Sequence, residues 1–222
     1  HVYRCDVSVS QEEIIKTIEF LNKDESVDAI LVQLPLPSNF DTNLVVNTIK
    51  PEKDVDGFTK ANLDRLIGKN NEVGILPPVY AVILAMLESI NVTLENKEVV
   101  LVANSDIFVE NLDEVLRRQG AKVVLASVAN PNLASITTQA DILISAIGKP
   151  GYITKNMVKN QAIIIDIGIT MNDEGKMQGD ADFESVKDTV SFITPVPGGV
   201  GPMTIAMAFW NTLEMFKRNH QL

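Results

Sequence analysis

Four short stretches of the chain carry residue types able to do chemistry, and each also has a plainer reading. In "KDVDGF", Asp54 and Asp56 stand two apart with Gly57 following. Carboxylates so spaced can flank a cationic or amidine-like ligand edge. They can also simply form a turn, which composition alone favours. In "VQLPLP", Gln33 puts a neutral amide at the C-terminal end of an apolar run. Strand ends are where α/β sheets bind ligands, although an amide there can merely cap the strand. "ITPVPGGVGPMT", residues 193–204, leads into the last helical segment. Gly198, Gly199 and Gly201 would let backbone amides approach a ligand, and Pro202 suits a first helical turn; a rigid connector is an equal alternative. The fourth stretch is "VANSDIFVEN", residues 102–111, and no glycine falls between Gly74 and Gly120. A dinucleotide site normally needs glycine in such a turn so that pyrophosphate can reach the helix N-terminus. Ser105 offers a hydroxyl, while Asp106 and Glu110 bring negative charge to the helix's opening turns. A capped structural helix is the favoured reading.

Those residues must be positioned by regular elements. "EEIIKTIEFLN" places Ile14, Ile18 and Leu21 on one helical face. "VDAILVQLPLP" reads as a buried strand stopped by Pro35 and Pro37. Asp41 suits the N-cap of a short helix carrying Leu44, Val45 and Ile49, and Gly68 ends the helix "ANLDRLIG". Pro78 can open "PVYAVILAMLESI". From residue 97 onward the apolar runs "KEVVLVA", "AKVVLA", "ADILISAIG", "QAIIIDIGI" and "TVSFIT" alternate with helical or polar segments. Continuous apolar strands alternating with helices predict a parallel sheet covered on both faces, hence a Rossmann-like domain. The final helix carries Ile205, Phe209, Thr212, Leu213 and Phe216 on one stripe, which predicts docking on an apolar surface.

Composition narrows the function classes. A net charge of -10 over 222 residues argues against nucleic-acid or anionic-membrane partners. One cysteine, Cys5, excludes an internal disulfide framework and fits a reducing, cytoplasmic compartment, with an organellar matrix as the other possibility. With two histidines and that one cysteine, no metal site is expected. "VYAVILAML" stops at Glu88, well short of the roughly 20 residues of a membrane span.

Six strings, "VDAILVQLPLP", "IKPEKDVDGF", "ADILISAIGKP", "IDIGI", "GDADF" and "ITPVPGGVGPMT", fall in order along the chain. Together they resemble the bifunctional methylenetetrahydrofolate dehydrogenase/methenyltetrahydrofolate cyclohydrolase family. The resemblance implies an α/β protein in three parts: a partial folate-binding catalytic domain (1–91), a Rossmann-like NADP-binding domain (92–197), and a C-terminal helix (198–222) returning to the first. It implies a cleft between the two domains, tetrahydrofolate derivatives as substrates, NADP as cofactor and a homodimer. By motif, Val32, Gln33 and Leu34 line the folate pocket, Asp56 holds the pteridine edge, and Pro197, Gly198, Gly199, Val200 and Gly201 close over the substrate. Gln33 and Asp56 are thereby the catalytic candidates. Ala103, Asn104, Ser105, Ile169 and Thr204 fall on the cofactor side.

The sequence also departs from the family pattern. The family's general acid/base lysine and its tyrosine lie upstream of His1, so the chain reads as N-terminally incomplete and no lysine in it takes that role. The Pro-Cys-Thr-Pro stretch is replaced by Pro77, Pro78, Val79 and Tyr80. The phosphate loop's Gly-Arg-Ser becomes Ala103, Asn104 and Ser105, with Val109 at its later glycine. Asn104 cannot supply the guanidinium fork that would pair a 2′-phosphate. Two readings follow: an enzyme oxidising 5,10-methylenetetrahydrofolate and hydrolysing the methenyl product to 10-formyltetrahydrofolate, or a non-catalytic folate-binding or assembly module of the same fold.

Overall fold

The computed structural model describes residues 1–6, 8–68, 75–104, 106–172 and 174–222, without the side chains of Asp106, Ile107 and Glu110. It divides into two compact units, His1–Pro78 with Met207–Leu222, and Val79–Ala206.

Unit one is built on three short helices, α1 (Gln11–Lys23), α2 (Thr42–Thr48) and α3 (Lys60–Leu66), each opened by an oxygen-bearing cap. Ser10 and Glu13 form a reciprocal capping box on α1, and the Asp41 carboxylate accepts from Leu44 N at 2.9 Å. The apolar faces of α1 and α2 meet over Ile18, Leu21, Ile30, Val45 and Ile49. Buried Lys53 donates to the carbonyls of Leu21 and Asp24 at 3.1 and 2.7 Å, capping the C-terminal end of α1, where a cation is favoured. The expected strand in "VDAILVQLPLP" is not formed. Its ladder is a single parallel bridge, Ile30 with Asp54, made by Ile30 N to Lys53 O and Val55 N to Ile30 O. Beyond Ile30 no facing backbone continues the ladder among the described residues, and Pro35 and Pro37 have no N–H to offer one.

Unit two contains α4 (to Ser89, opened by Pro78), β1 (Glu98–Ala103), α5 (Asp106–Arg118), β2 (Lys122–Ala126), α6 (Leu133–Thr137), β3 (Ile142–Ala146) and β4 (Ile163–Asp166). They are followed by a two-stranded antiparallel pair β5 (Thr170–Met171) and β6 (Met177–Gln178), then α7 (Phe183–Val186) and β7 (Phe192–Ile193). The main sheet is wholly parallel in the order β2-β1-β3-β4-β7. Central strands β1, β3 and β4 are buried on both faces, which is why they read as unbroken apolar runs. "TVSFIT" contributes only the two-residue β7 at the sheet edge. Tyr80 is fully buried, gives its hydroxyl to Phe108 O at 2.7 Å, and thereby ties α4 to α5.

Helix α8 (Val200–Asn219) holds Pro202 in its first turn. From Met207 it belongs to unit one, where Asn211 donates to the carbonyls of Val55 and Leu76 at 3.0 and 3.1 Å and Met215 is buried. The expected apolar stripe does not dock: Phe209 is 73% exposed, and Ile205, Leu213 and Phe216 are also open. Residues 211 and 215 lie nearly opposite 209, 213 and 216 around a 3.6-residue turn, so seating Asn211 on two loop carbonyls turns the stripe outward.

Candidate active site

In unit one the Ile30–Asp54 bridge and the Lys53 cap hold the "KDVDGF" loop against α1 and α2. The two carboxylates of that loop then part ways. Asp54, 1% exposed, accepts from Gly57 N at 3.0 Å, Thr59 N at 2.8 Å and Asn62 Nδ2 at 3.0 Å, so it is consumed in folding the loop and starting α3. Asp56 has no hydrogen-bond partner among the described residues. It lines a small cavity of about 10 Å³ with Val32, Leu34, Phe58 and the apolar faces of Val46 and Ile49. Burial, then the charge of Asp54, push its carboxyl up to about 6. A half-buried acceptor with spare lone pairs, set among apolar side chains with Asp54 beside it and ionised at neutral pH, suits a ligand that presents N–H donors.

In unit two a belt of hydrogen bonds crosses the C-terminal ends of four neighbouring strands. Past β1, Asn104 donates its side-chain amide to Ile147 O beyond β3. Ile147 N and Lys149 N donate to the Asp180 carboxylate at 2.6 and 2.9 Å. Asp180 N, in turn, donates to Asp166 at the end of β4, at 3.1 Å. Asp166 also accepts from Gly168 N at 3.0 Å and Ala181 N at 2.8 Å, and its own amide reaches Thr194 Oγ1 past β7 at 2.8 Å. Burial raises the Asp166 carboxyl to about 6; amide bonds led by that of Ala181 oppose the rise, and the Asp180 charge adds to it. The carboxylates are close, but three backbone amides on Asp166 and two on Asp180 already fill them, and the described residues hold no cluster suited to a metal ion. A roomier cavity of about 670 Å³ lies at the opposite end of β1, lined by Leu84, Leu87, Asn91, Thr93 and Gln119 among others, away from these groups.

The profile of the tetrahydrofolate dehydrogenase/cyclohydrolase NAD(P)-binding domain matches residues 77–220, and that of the family's catalytic domain matches residues 1–56. The chain belongs to this family. It is 42% identical over 216 residues to the bifunctional protein FolD of Aliarcobacter butzleri, covering 97% of this chain and 75% of that protein. The crystal structure of the bifunctional enzyme FolD, methylenetetrahydrofolate dehydrogenase/cyclohydrolase, from Campylobacter jejuni superimposes with a TM-score of 0.87 at 39% identity, over 95% of this chain and 74% of that one. The Trypanosoma brucei methylenetetrahydrofolate dehydrogenase-cyclohydrolase, solved with NADP cofactor and inhibitor, gives a TM-score of 0.87 at 33% identity, over 97% and 75%.

Within this family member the expected site residues fall unevenly. Val32 and Leu34 share the cavity of Asp56, whereas Gln33 is exposed and folds its amide back onto Leu34 O at 2.8 Å. Alternate residues of an extended segment face opposite ways, so a wall made by 32 and 34 excludes 33. In unit two, Pro197 and Gly198 are exposed while Gly199 and Val200 are buried. A Cβ on Gly199 would lie 2.4 Å from Pro195 O, so the loop's own backbone demands glycine there. A Cβ on Gly201 would meet nothing within 4 Å, which leaves room for a ligand's close approach. Ala103 ends β1, Ile169 is exposed, and the Thr204 hydroxyl is engaged with Val200 O at 3.0 Å. Ser105 lies outside the described residues, as do the side chains of Asp106 and Glu110.

Strand ends of a parallel sheet joined by a rigid belt fit a dinucleotide. Asn104 does not fit a 2′-phosphate contact, because its amide is spent on Ile147 O. The belt's aspartates escape a reading by spacing, since the partners of Asp180 lie 33 and 31 residues away in the chain. The available signal was a carboxylate closing an otherwise apolar strand, "IIID".

Proposed function

We infer that the chain works in one-carbon folate metabolism as an NADP-dependent methylenetetrahydrofolate dehydrogenase and methenyltetrahydrofolate cyclohydrolase. The observation that carries this reading is Asp56: a half-buried carboxylate with no hydrogen-bond partner among the described residues, beside Val32 and Leu34, in a chain whose two parts match the family's two domains. Asp56 accepts the N–H donors of the pteridine edge, while Val32 and Leu34 form the apolar wall along the ring. Its carboxyl, raised to about 6, can also exchange a proton near neutrality. NADP, when bound, would supply the hydride acceptor. The ends of β1, β3 and β4, with Ile169, Thr204 and Ala103, would hold the dinucleotide. Pro197, Gly198, Val200 and Gly201 present backbone to the substrate, with Gly199 shaping their loop. Gln33 acts from outside the Asp56 cavity. The test is methenyltetrahydrofolate hydrolysis and NADP reduction followed by absorbance. Asp56→Asn should lower kcat/KM by about 5- to 150-fold, equivalent to the roughly 1–3 kcal/mol of a charge-assisted hydrogen bond. Unchanged kinetics would remove Asp56 from the site and return it to turn forming.

The reading extends to a cytoplasmic homodimer formed through unit two. Its support is β2, a sheet edge that leaves Val124 42% and Leu125 45% exposed, and the lone exposed thiol of Cys5, which suits a reducing compartment. Sedimentation of the wild type and of Leu125→Lys distinguishes dimer from monomer. No helix among the described residues is long and apolar enough to cross a membrane.

A further inference from the structure

The Ile147 peptide is gripped from both sides. Its N–H goes to Asp180, and its carbonyl takes the Asn104 amide from the turn after β1. Asp180 receives the Lys149 N–H on its other oxygen and is locked in turn by its own N–H to Asp166. Both aspartates sit where only glycine permits them. A Cβ on Gly168 would fall 2.2 Å from the Asp180 carboxyl carbon, and one on Gly179 would fall 2.3 Å from an Asp166 oxygen. Asp180 is 1% exposed, so its oxygens are out of a ligand's reach. Its charge is spent wholly on placing backbone at the ends of β1 and β3.

We propose that Asp180 is a positioning residue for the dinucleotide half of the reaction, seating Asn104 at the end of β1 through Ile147. This rests on reading the strand ends of unit two as the dinucleotide site. An isosteric amide at 180 turns one acceptor into a donor facing an N–H. That frees either Ile147 or Lys149, and with it the seat of Asn104. Because Asp180 and Asn104 act along one path, their effects on the dinucleotide should not add.

The experiment measures NADP and tetrahydrofolate affinity by calorimetry, and amide exchange at Ile147 and Lys149 by NMR. It compares the wild-type chain with Asp180→Asn, Asn104→Ala and the double variant. Expected are a 10- to 100-fold weaker NADP affinity for Asp180→Asn with tetrahydrofolate affinity within twofold, and faster exchange at Ile147. Asn104→Ala should show a smaller loss, and the double variant should be no worse than Asp180→Asn. NADP affinity within twofold of wild type, a double variant whose losses multiply, or an equal loss of tetrahydrofolate binding would each overturn the proposal. Should Asp180→Asn fail to fold, Asn104→Ala decides alone: unchanged NADP affinity overturns the proposal. A wild type that binds tetrahydrofolate but no dinucleotide would instead strike the reading of the strand ends, and the role of Asp180 would fall with it.

Discussion

Each unit holds a pair of neighbouring aspartates, and in each pair one carboxyl is pushed up to about 6, yet the two pairs do opposite things. In unit one Asp54 is saturated by the loop, and Asp56 has no partner among the described residues. In unit two both Asp166 and Asp180 are filled by backbone amides. A raised carboxyl therefore does not itself mark chemistry; what separates the pairs is the hydrogen-bond inventory. A half-buried acceptor with spare lone pairs can take a ligand, and a buried one with none to spare is architecture.

The sharpest break in the comparison comes from glycine. Gly168→Ala forces a methyl to within 2.2 Å of the Asp180 carboxyl carbon and should cost about 3 kcal/mol or more, visible as a lowered melting temperature or no soluble protein. Gly201→Ala meets open space and should leave melting nearly unchanged while weakening ligand binding. Equal melting for the two variants would mean that the aspartate-glycine interlock is not what holds the strand ends.

Next in size are the two carboxylates of "KDVDGF". Asp54→Asn removes an acceptor from buried donors and should destabilise by about 2–4 kcal/mol in urea unfolding. Asp56→Asn should instead stabilise the chain at pH 7, by about 2 kcal/mol, because it deletes a charge that burial disfavours. Tetrahydrofolate affinity should fall for Asp56→Asn despite that gain, the usual exchange at a binding site. If both variants destabilise, Asp56 is structural and the two pairs are alike.

The pH dependence follows with a definite sign. Asp56 and Asp166 hold a proton in the folded chain up to about 6, but in the unfolded chain only up to the ordinary carboxylate value of 3.8. Between those limits the folded state binds more protons, so both groups make stability fall as pH rises from about 4 to 6. Asp56→Asn should remove one of these two contributions, lowering the slope by up to about 1.4 kcal/mol per pH unit. A slope unchanged by the substitution would contradict the raised carboxyl. Below that window the exposed, serine-bonded Asp6, Glu13 and Asp24, held below their ordinary range, act in the other sense.

How far the sequence could be read tracks how local the determining contacts are. The runs around residues 98–103, 142–146 and 163–166 announced themselves because strands covered on both faces need continuous apolar side chains. "VDAILVQLPLP" has the same texture, but its ladder stops at one bridge, and no local pattern reports a missing neighbour strand. The stripe on α8 was legible as a pattern but not as a direction, because two distant carbonyls choose the docking face through Asn211. Asp54 and Asp56 were legible as a candidate pair, while their division of labour depends on Thr59 and Asn62, whose geometry the motif does not encode.

The smallest effect expected is at Gln33, and it tests the comparison within unit one. The motif places Gln33 in the folate pocket beside Val32 and Leu34, but the cavity takes 32 and 34 and leaves 33 exposed with its amide on Leu34 O. That bond is local and reached by water, so Gln33→Ala should change stability by less than about 0.5 kcal/mol. Tetrahydrofolate affinity should likewise stay within about twofold, since removing a side chain outside the cavity leaves no buried donor unpaired. Val32→Ala, which deletes two methyls from the wall facing Asp56, should weaken binding more than Gln33→Ala does. Calorimetric titration of both variants with tetrahydrofolate decides the order. A larger loss for Gln33→Ala would show that the segment turns over on binding, so that the outward face seen here is not the one that meets the ligand.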